Sequence, residues 1–197
     1  SLDELQASRR SFLPDNYSGP DIWIFGYGSL IWNPLVDYES KCSAQLFGYH
    51  RRFCLWTRIG RGSPDYPGLV LALDRGGSVS GIAFKIPATR APSELDMLWR
   101  REMLNNSYDP RFVTIHTSAG KKHALTFVIK RSSPAFADKM SDERASEIIA
   151  RASGFVGPCA QYLLETEKAL RDVGIADKHM SKLASMVKKK MAAAAGD

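Results

Sequence analysis

Runs of β-branched and aromatic residues at 22–25, 41–48, 50–57, 69–74, 79–86, 111–117 and 122–131 crowd the first two thirds of the chain, and helical periodicity takes over after Ser133-Pro134. Several runs are separated by short glycine-containing stretches, Arg75-Gly76-Gly77 and Ala119-Gly120, which read as hairpin turns. One helix interrupts the series between the fifth and sixth runs. Three more follow near 141–152, 158–172 and 177–193, punctuated by Gly154, Pro158 and Gly174. Strands first and helices last, with short connections, predict an α+β fold whose sheet is curved or closed and antiparallel-rich, not doubly wound. Ahead of the strands, Leu2, Leu5, Arg9, Phe12 and Leu13 form a short helical pattern that Pro14 stops, so 1–20 reads as a helix and linker. The 197 residues are expected to make a single domain over 21–183, followed by a basic, alanine-rich tail at 184–197.

Composition excludes several classes. A hydrophobic share of 44% with 24% charged residues is that of a soluble globular protein, and no apolar run approaches a bilayer span. The opening residues lack the apolar core of a secretory signal, and Cys42, Cys54 and Cys159 show no paired spacing; together these predict reduced thiols and a cytoplasmic location. The net charge of +6 would allow a polyanionic partner, but Lys188-Lys189-Lys190 lies at the end of a terminal helix and no nucleic-acid motif accompanies it. A small anionic substrate is expected, without nucleic acid or membrane. His50, His116, His123 and His179 have no metal-ligand spacing, so neither metal nor cofactor is expected.

The first strand ends at a glycine-punctuated turn, "IWIFGYGSLIWNP" from Ile22 to Pro34. A dinucleotide-binding loop would need a third glycine where Ile31 stands, and a nucleophile elbow would need glycine at that same position. What remains is a turn at Gly26-Tyr27-Gly28-Ser29 whose backbone N–H groups can form an anion-binding concavity, with the Ser29 hydroxyl beside them.

The interrupting helix, "APSELDMLWRREMLNNSYDP", carries a second signal. Ser93 and Asp96 have capping-box spacing, and Leu95, Leu98 and Trp99 define an apolar stripe. Glu102 falls inside that stripe, where a carboxylate must be paired, protonated or facing a cavity. Arg100 and Arg101 point about 200° and 100° away around an ideal helix, so neither is expected to pair with it, which favours the cavity and acid–base chemistry. Tyr27, Trp32 and Tyr108 offer polar-tipped aromatics for a pocket, and Arg58 and Arg61 lie in a Gly/Pro-rich loop where a substrate carboxylate could be met.

Four segments together, "FGYGSLIWNP" at 25–34, "GYHRRFCLWTRIGRGSPDYPGLVLAL" at 48–73, "LWRREM" at 98–103 and "GPCAQYLLET" at 157–166, resemble the ChaC family of glutathione-specific γ-glutamylcyclotransferases. The resemblance runs from Asp21 to about Leu183. It implies a compact fold on a small mixed β-barrel, with Tyr27, Gly28, Ser29, Leu30, Ile31 and Trp32 binding the γ-glutamyl group together with Tyr108, and Glu102 as catalytic acid and base. It also implies a carbon–nitrogen lyase of the amidine-lyase class, working without a cofactor and releasing 5-oxoproline and cysteinylglycine from glutathione. Many relatives carry glycines shortly after the catalytic glutamate, where this chain has Asn105-Asn106-Ser107; asparagine tolerates left-handed backbone, so the turn is expected to form. The alternatives are a cyclotransferase for other γ-glutamyl amines or dipeptides, and a non-enzymatic cation-transport regulator, the family's older label.

Overall fold

The computed structural model describes residues 2–195. Five strands form a closed mixed barrel in the order β1-β3-β2-β4-β5: β1 (Ile22–Gly26), β2 (Ser40–Thr57), β3 (Gly68–Ile86), β4 (Tyr108–Thr117) and β5 (Gly120–Ile129). β1 runs antiparallel to β3, from Ile22 opposite Ile86 to Gly26 opposite Ile82. Its parallel pairing with β5, Trp23 opposite Ala124, completes the ring. The β4–β5 hairpin turns at Thr117 and Gly120, as expected.

The other expected hairpin is absent. β3 runs straight through Arg75-Gly76-Gly77, with Gly76 and Gly77 at φ of 101° and 71°, and β2 runs through Gly48 at φ 83°. Glycine alone adopts such angles cheaply, so these positions bend two long strands where a turn would have split each into a pair. His50 Nδ1 and the Gly76 carbonyl oxygen meet at 3.0 Å beside the bend.

Contacts divide the chain into two compact units, one made of the chain up to His50 with Leu73–Ser133, the other of Arg51–Ala72 with the chain from Pro134 onward. In the first, Phe25, Tyr27, Leu46, Leu73, Ile115, Ala124 and Val128 form a buried cluster. The helix α1 (Leu2–Phe12) and the interrupting helix α2 (Ala91–Glu102) belong to this unit. Leu95, Leu98 and Trp99 are almost wholly buried, which is the predicted stripe. Trp99 meets Phe12 and Phe127 at ring-centre distances of 5.1 and 5.6 Å.

The predicted cap is not used. Helix α2 begins at Ala91 after Arg90, and the Ser93 hydroxyl donates to the Arg90 carbonyl. Asp96 accepts from Arg9 at 2.7 Å, because a buried guanidinium needs a counter-charge more than a helix start with Pro92 in its first turn needs a box. Asn106 has φ 50°, so the left-handed turn after α2 forms on asparagine as expected.

The second unit holds α3 (Asp142–Arg151), α4 (Cys159–Asp172) and α5 (Lys178–Ala195), with a two-strand hairpin of β6 (Ser153–Gly154) and β7 (Gly157–Pro158) between α3 and α4. Asp142 joins α3 to α5 by meeting His179 at 2.9 Å and Lys182 at 2.7 Å. The stretch expected as a tail from 184 is helical as far as Ala195, with Ala184 and Val187 buried and Lys190 paired to Glu143; Gly196 and Asp197 lie outside the described residues. The three cysteines are free, and Cys54 and Cys159 are buried. Among the described residues, no helix is long and apolar enough to cross a membrane.

Candidate active site

The turn after β1 is set by close packing. A side chain on Gly26 would press within 3.0 Å of Leu30 and 3.1 Å of Phe84, so this position admits no larger residue without displacement. Beyond it Ser29–Ile31 forms a single 3-10 turn, closed by Ile31 N–H donating to the Gly28 carbonyl at 2.9 Å. The amides of Ser29 and Leu30 precede that first bond, so neither is used in closing the turn.

The predicted site residues divide by what their side chains do. Leu30 and Ile31 are buried packing residues, and the Tyr27 ring lies in the barrel cluster with its hydroxyl donating to the Phe127 carbonyl at 3.0 Å. Tyr108 packs edge-on against the Phe127 ring at 6.4 Å. Both tyrosines thus converge on one residue of β5. Trp32 is half-buried and caps the 3-10 turn, its N–H donating to the Ser29 carbonyl at 3.2 Å.

Glu102 is the last residue of α2. Its side chain is 14% exposed, so it is desolvated but not sealed. Burial holds its carboxyl above the ordinary carboxylate range, and the Arg101 guanidinium opposes that rise. The negative end of the helix dipole further disfavours the ionised form at this position.

The expectation that neither neighbouring arginine pairs with Glu102 is overturned. Arg101 Nε lies 3.2 Å from Glu102 Oε1, Nη1 donates to the Asn33 carbonyl at 2.7 Å, and Nη2 donates to the Ser29 hydroxyl. The angular argument located only the Cα direction, whereas the arginine stem is long enough to fold back along the helix end. One guanidinium therefore ties the carboxylate of α2 to the turn after β1. Arg101 is the residue that sequence reasoning missed, although its adjacency to Glu102 and its five donors were visible signals.

Arg61, by contrast, is committed within the second unit. It is buried and donates to Gln161 Oε1 at 3.0 Å and to the Pro158 carbonyl at 3.2 Å, where a solvated loop side chain would have no such partners. Arg58 is exposed. Among the described residues, no three His, Cys, Asp or Glu side chains assemble into a set that could hold a metal ion.

Residues 22–190 match the family model described as ChaC-like protein, which takes in the turn, Glu102 and every element except α1 and the end of α5. The chain belongs to the ChaC-like family. Among its relatives is the glutathione-specific γ-glutamylcyclotransferase of Escherichia coli (strain K12), 38% identical over 175 residues, which span 88% of this chain and 75% of that one. The human glutathione-specific γ-glutamylcyclotransferase 1 is 30% identical over 182 residues, spanning 88% of this chain and 82% of the relative. The Schizosaccharomyces pombe (strain 972 / ATCC 24843) enzyme of the same description is 31% identical over 194 residues, spanning 86% and 94%. The ChaC-like fold also matches a crystal structure of a yeast γ-glutamyl cyclotransferase specific to glutathione, with a TM-score of 0.78 over 87% of this chain and 97% of that one, at 24% identity. The α+β barrel architecture read from the sequence is the fold observed.

Proposed function

We propose that this chain is a γ-glutamylcyclotransferase that converts glutathione to 5-oxoproline and cysteinylglycine. The observation that carries the reading is the desolvated Glu102 carboxylate, linked through Arg101 to the turn after β1. A carboxyl raised by burial is a stronger base than an ordinary carboxylate for the proton that the attacking nitrogen sheds.

The reaction needs little beyond folding the substrate on itself. The neutral α-amine nitrogen of the γ-glutamyl group attacks the γ-carbonyl carbon and closes a five-membered lactam, and Glu102 takes the proton that this nitrogen sheds as the new bond forms. Negative charge gathers on the γ-carbonyl oxygen, and fixed, uncharged turn amides such as those of Ser29 and Leu30 suit its stabilisation. The carbon–nitrogen bond to the cysteinyl residue breaks as the protonated Glu102 returns its proton to the departing nitrogen. The proton taken from the amine thus ends on the leaving amine, and Glu102 is regenerated. No covalent intermediate is required, so Ser29 acts as a positioning hydroxyl and not as a nucleophile.

The test is product stoichiometry. Purified protein incubated with reduced glutathione, without added metal or nucleotide, should release 5-oxoproline and cysteinylglycine in equal amounts. Glutamate in place of 5-oxoproline would replace cyclisation with hydrolysis, and product only from other γ-glutamyl amines or dipeptides would reassign the leaving group.

A further inference from the structure

A cavity of about 360 Å³ opens in the second unit, and none of the residues discussed as catalytic lines it. It lies between the end of β2 with the connection that follows, which contribute Trp56 and then Arg58 and Tyr66, and α3, which contributes Arg144, Glu147 and Arg151. A volume of this size is in the range of small-molecule sites, roughly 300 to 1,000 Å³.

Its lining has a definite chemistry. Arg144 and Arg151 stand seven residues apart, two turns along one face of α3, with Ile148 between them. The Glu147 carboxylate is already met by Arg144 at 3.2 Å and by Lys190 at 3.9 Å. Arg151 lies over the Tyr66 ring, 5.7 Å from its centre, a cation–π arrangement. Arg58 spends one donor on the Pro64 carbonyl at 3.3 Å. With Asp65 counted, the lining holds three guanidiniums, two carboxylates and two aromatic rings.

We propose that this cavity is a second binding site, which takes a small carboxylate carried on a flat, apolar body. The body lies against Trp56 and Tyr66, and the carboxylate accepts from the arginines of α3, whose forked donors match its two oxygens. Occupancy bridges the loop at 58–67 to α3, so the ligand orders that loop.

Isothermal titration of the full chain with 2-naphthoate tests this, with hydrogen exchange of the same samples to locate the probe. Saturable binding of one probe per chain is expected, with slowed exchange at 58–67 and along α3. The neutral analogue 2-naphthalenemethanol should bind at least about tenfold more weakly, and so should 2-naphthoate to the Arg144→Ala/Arg151→Ala double variant, since each charge-assisted bond is worth a factor of about ten or more. Glu102→Gln should bind the probe as wild type does. The proposal is overturned by absent binding, by equal affinity for the neutral analogue, by unchanged affinity in the double variant, or by protection that maps to the turn and Glu102. The neutral-analogue and exchange arms use wild-type protein, so misfolding of the double variant would not spare the proposal.

Discussion

Replacing Arg101 by methionine keeps the length of the side chain and removes its charge and donors. Two bonds then vanish between the end of α2 and the turn, those to the Asn33 carbonyl and the Ser29 hydroxyl, along with the ion pair to Glu102. At about 1.5 kcal/mol for each bond from a charged donor, some 3 kcal/mol of positioning is lost, which corresponds to a fall of about a hundredfold in kcat/KM. A second effect has a fixed sign. Arg101 now lowers the Glu102 pKa against the rise caused by burial, so removing the cation raises it further. The base is then protonated over a wider pH span, and the acid limb of kcat/KM moves to higher pH. The assay is 5-oxoproline formation from glutathione, measured from about pH 5 to 9 for wild type, Arg101→Met and Arg101→Lys. Lysine restores the charge without the fork, so it should return the acid limb towards the wild-type position while recovering only part of the rate. An Arg101→Met enzyme within about threefold of wild type, with an unmoved acid limb, would refute the assignment of Arg101 as the link between base and turn.

Other expectations follow from single contacts. Ser29→Ala removes one charged hydrogen bond and should lower kcat/KM by about tenfold; a loss of about four orders of magnitude would instead indicate a covalent serine route. Glu102→Gln should raise the melting temperature where wild-type Glu102 is ionised in the folded state. The folded pKa of Glu102 lies above its unfolded value, so the native state holds the extra proton between the two and wild-type stability falls as pH rises through that window. The gain from glutamine is therefore expected above the folded pKa and should shrink below the ordinary carboxylate range; a gain of the same size at all pH values would contradict this. Arg9→Met leaves Asp15 and Asp96 without their shared cation, and since both carboxylates are more than a third exposed the urea midpoint should fall only modestly; an unchanged midpoint would show that the pairs contribute nothing.

What the sequence made legible was whatever depends on local spacing. The stripe of Leu95, Leu98 and Trp99 set the buried face of α2, and with it the unusual place of Glu102, because a helix repeats every few residues regardless of its neighbours. Asn106 was legible for the same reason, as a left-handed turn is a property of one residue. Arg75-Gly76-Gly77 misled because two glycines serve a hairpin and a bend equally well, and only the partner strand decides between them. Asp96 was misread because its partner Arg9 lies far away in sequence, and Arg101 because a Cα direction does not fix where a long side chain ends, here at Glu102 and at the distant Ser29 and Asn33. The cavity beside α3 was invisible for a related reason, since it brings together residues 56–67 and 144–152 that no periodicity links.

The central claim is that Glu102 is the base that moves the proton. Its most direct test is the turnover of glutathione by Glu102→Gln beside wild type, with circular dichroism confirming that both are folded. Glutamine keeps the size and polarity of the side chain but cannot accept the amine proton, so wild type should form 5-oxoproline and the variant should lose at least about a hundredfold in kcat. Turnover by a folded Glu102→Gln enzyme close to the wild-type rate would contradict the account and move the base to another group.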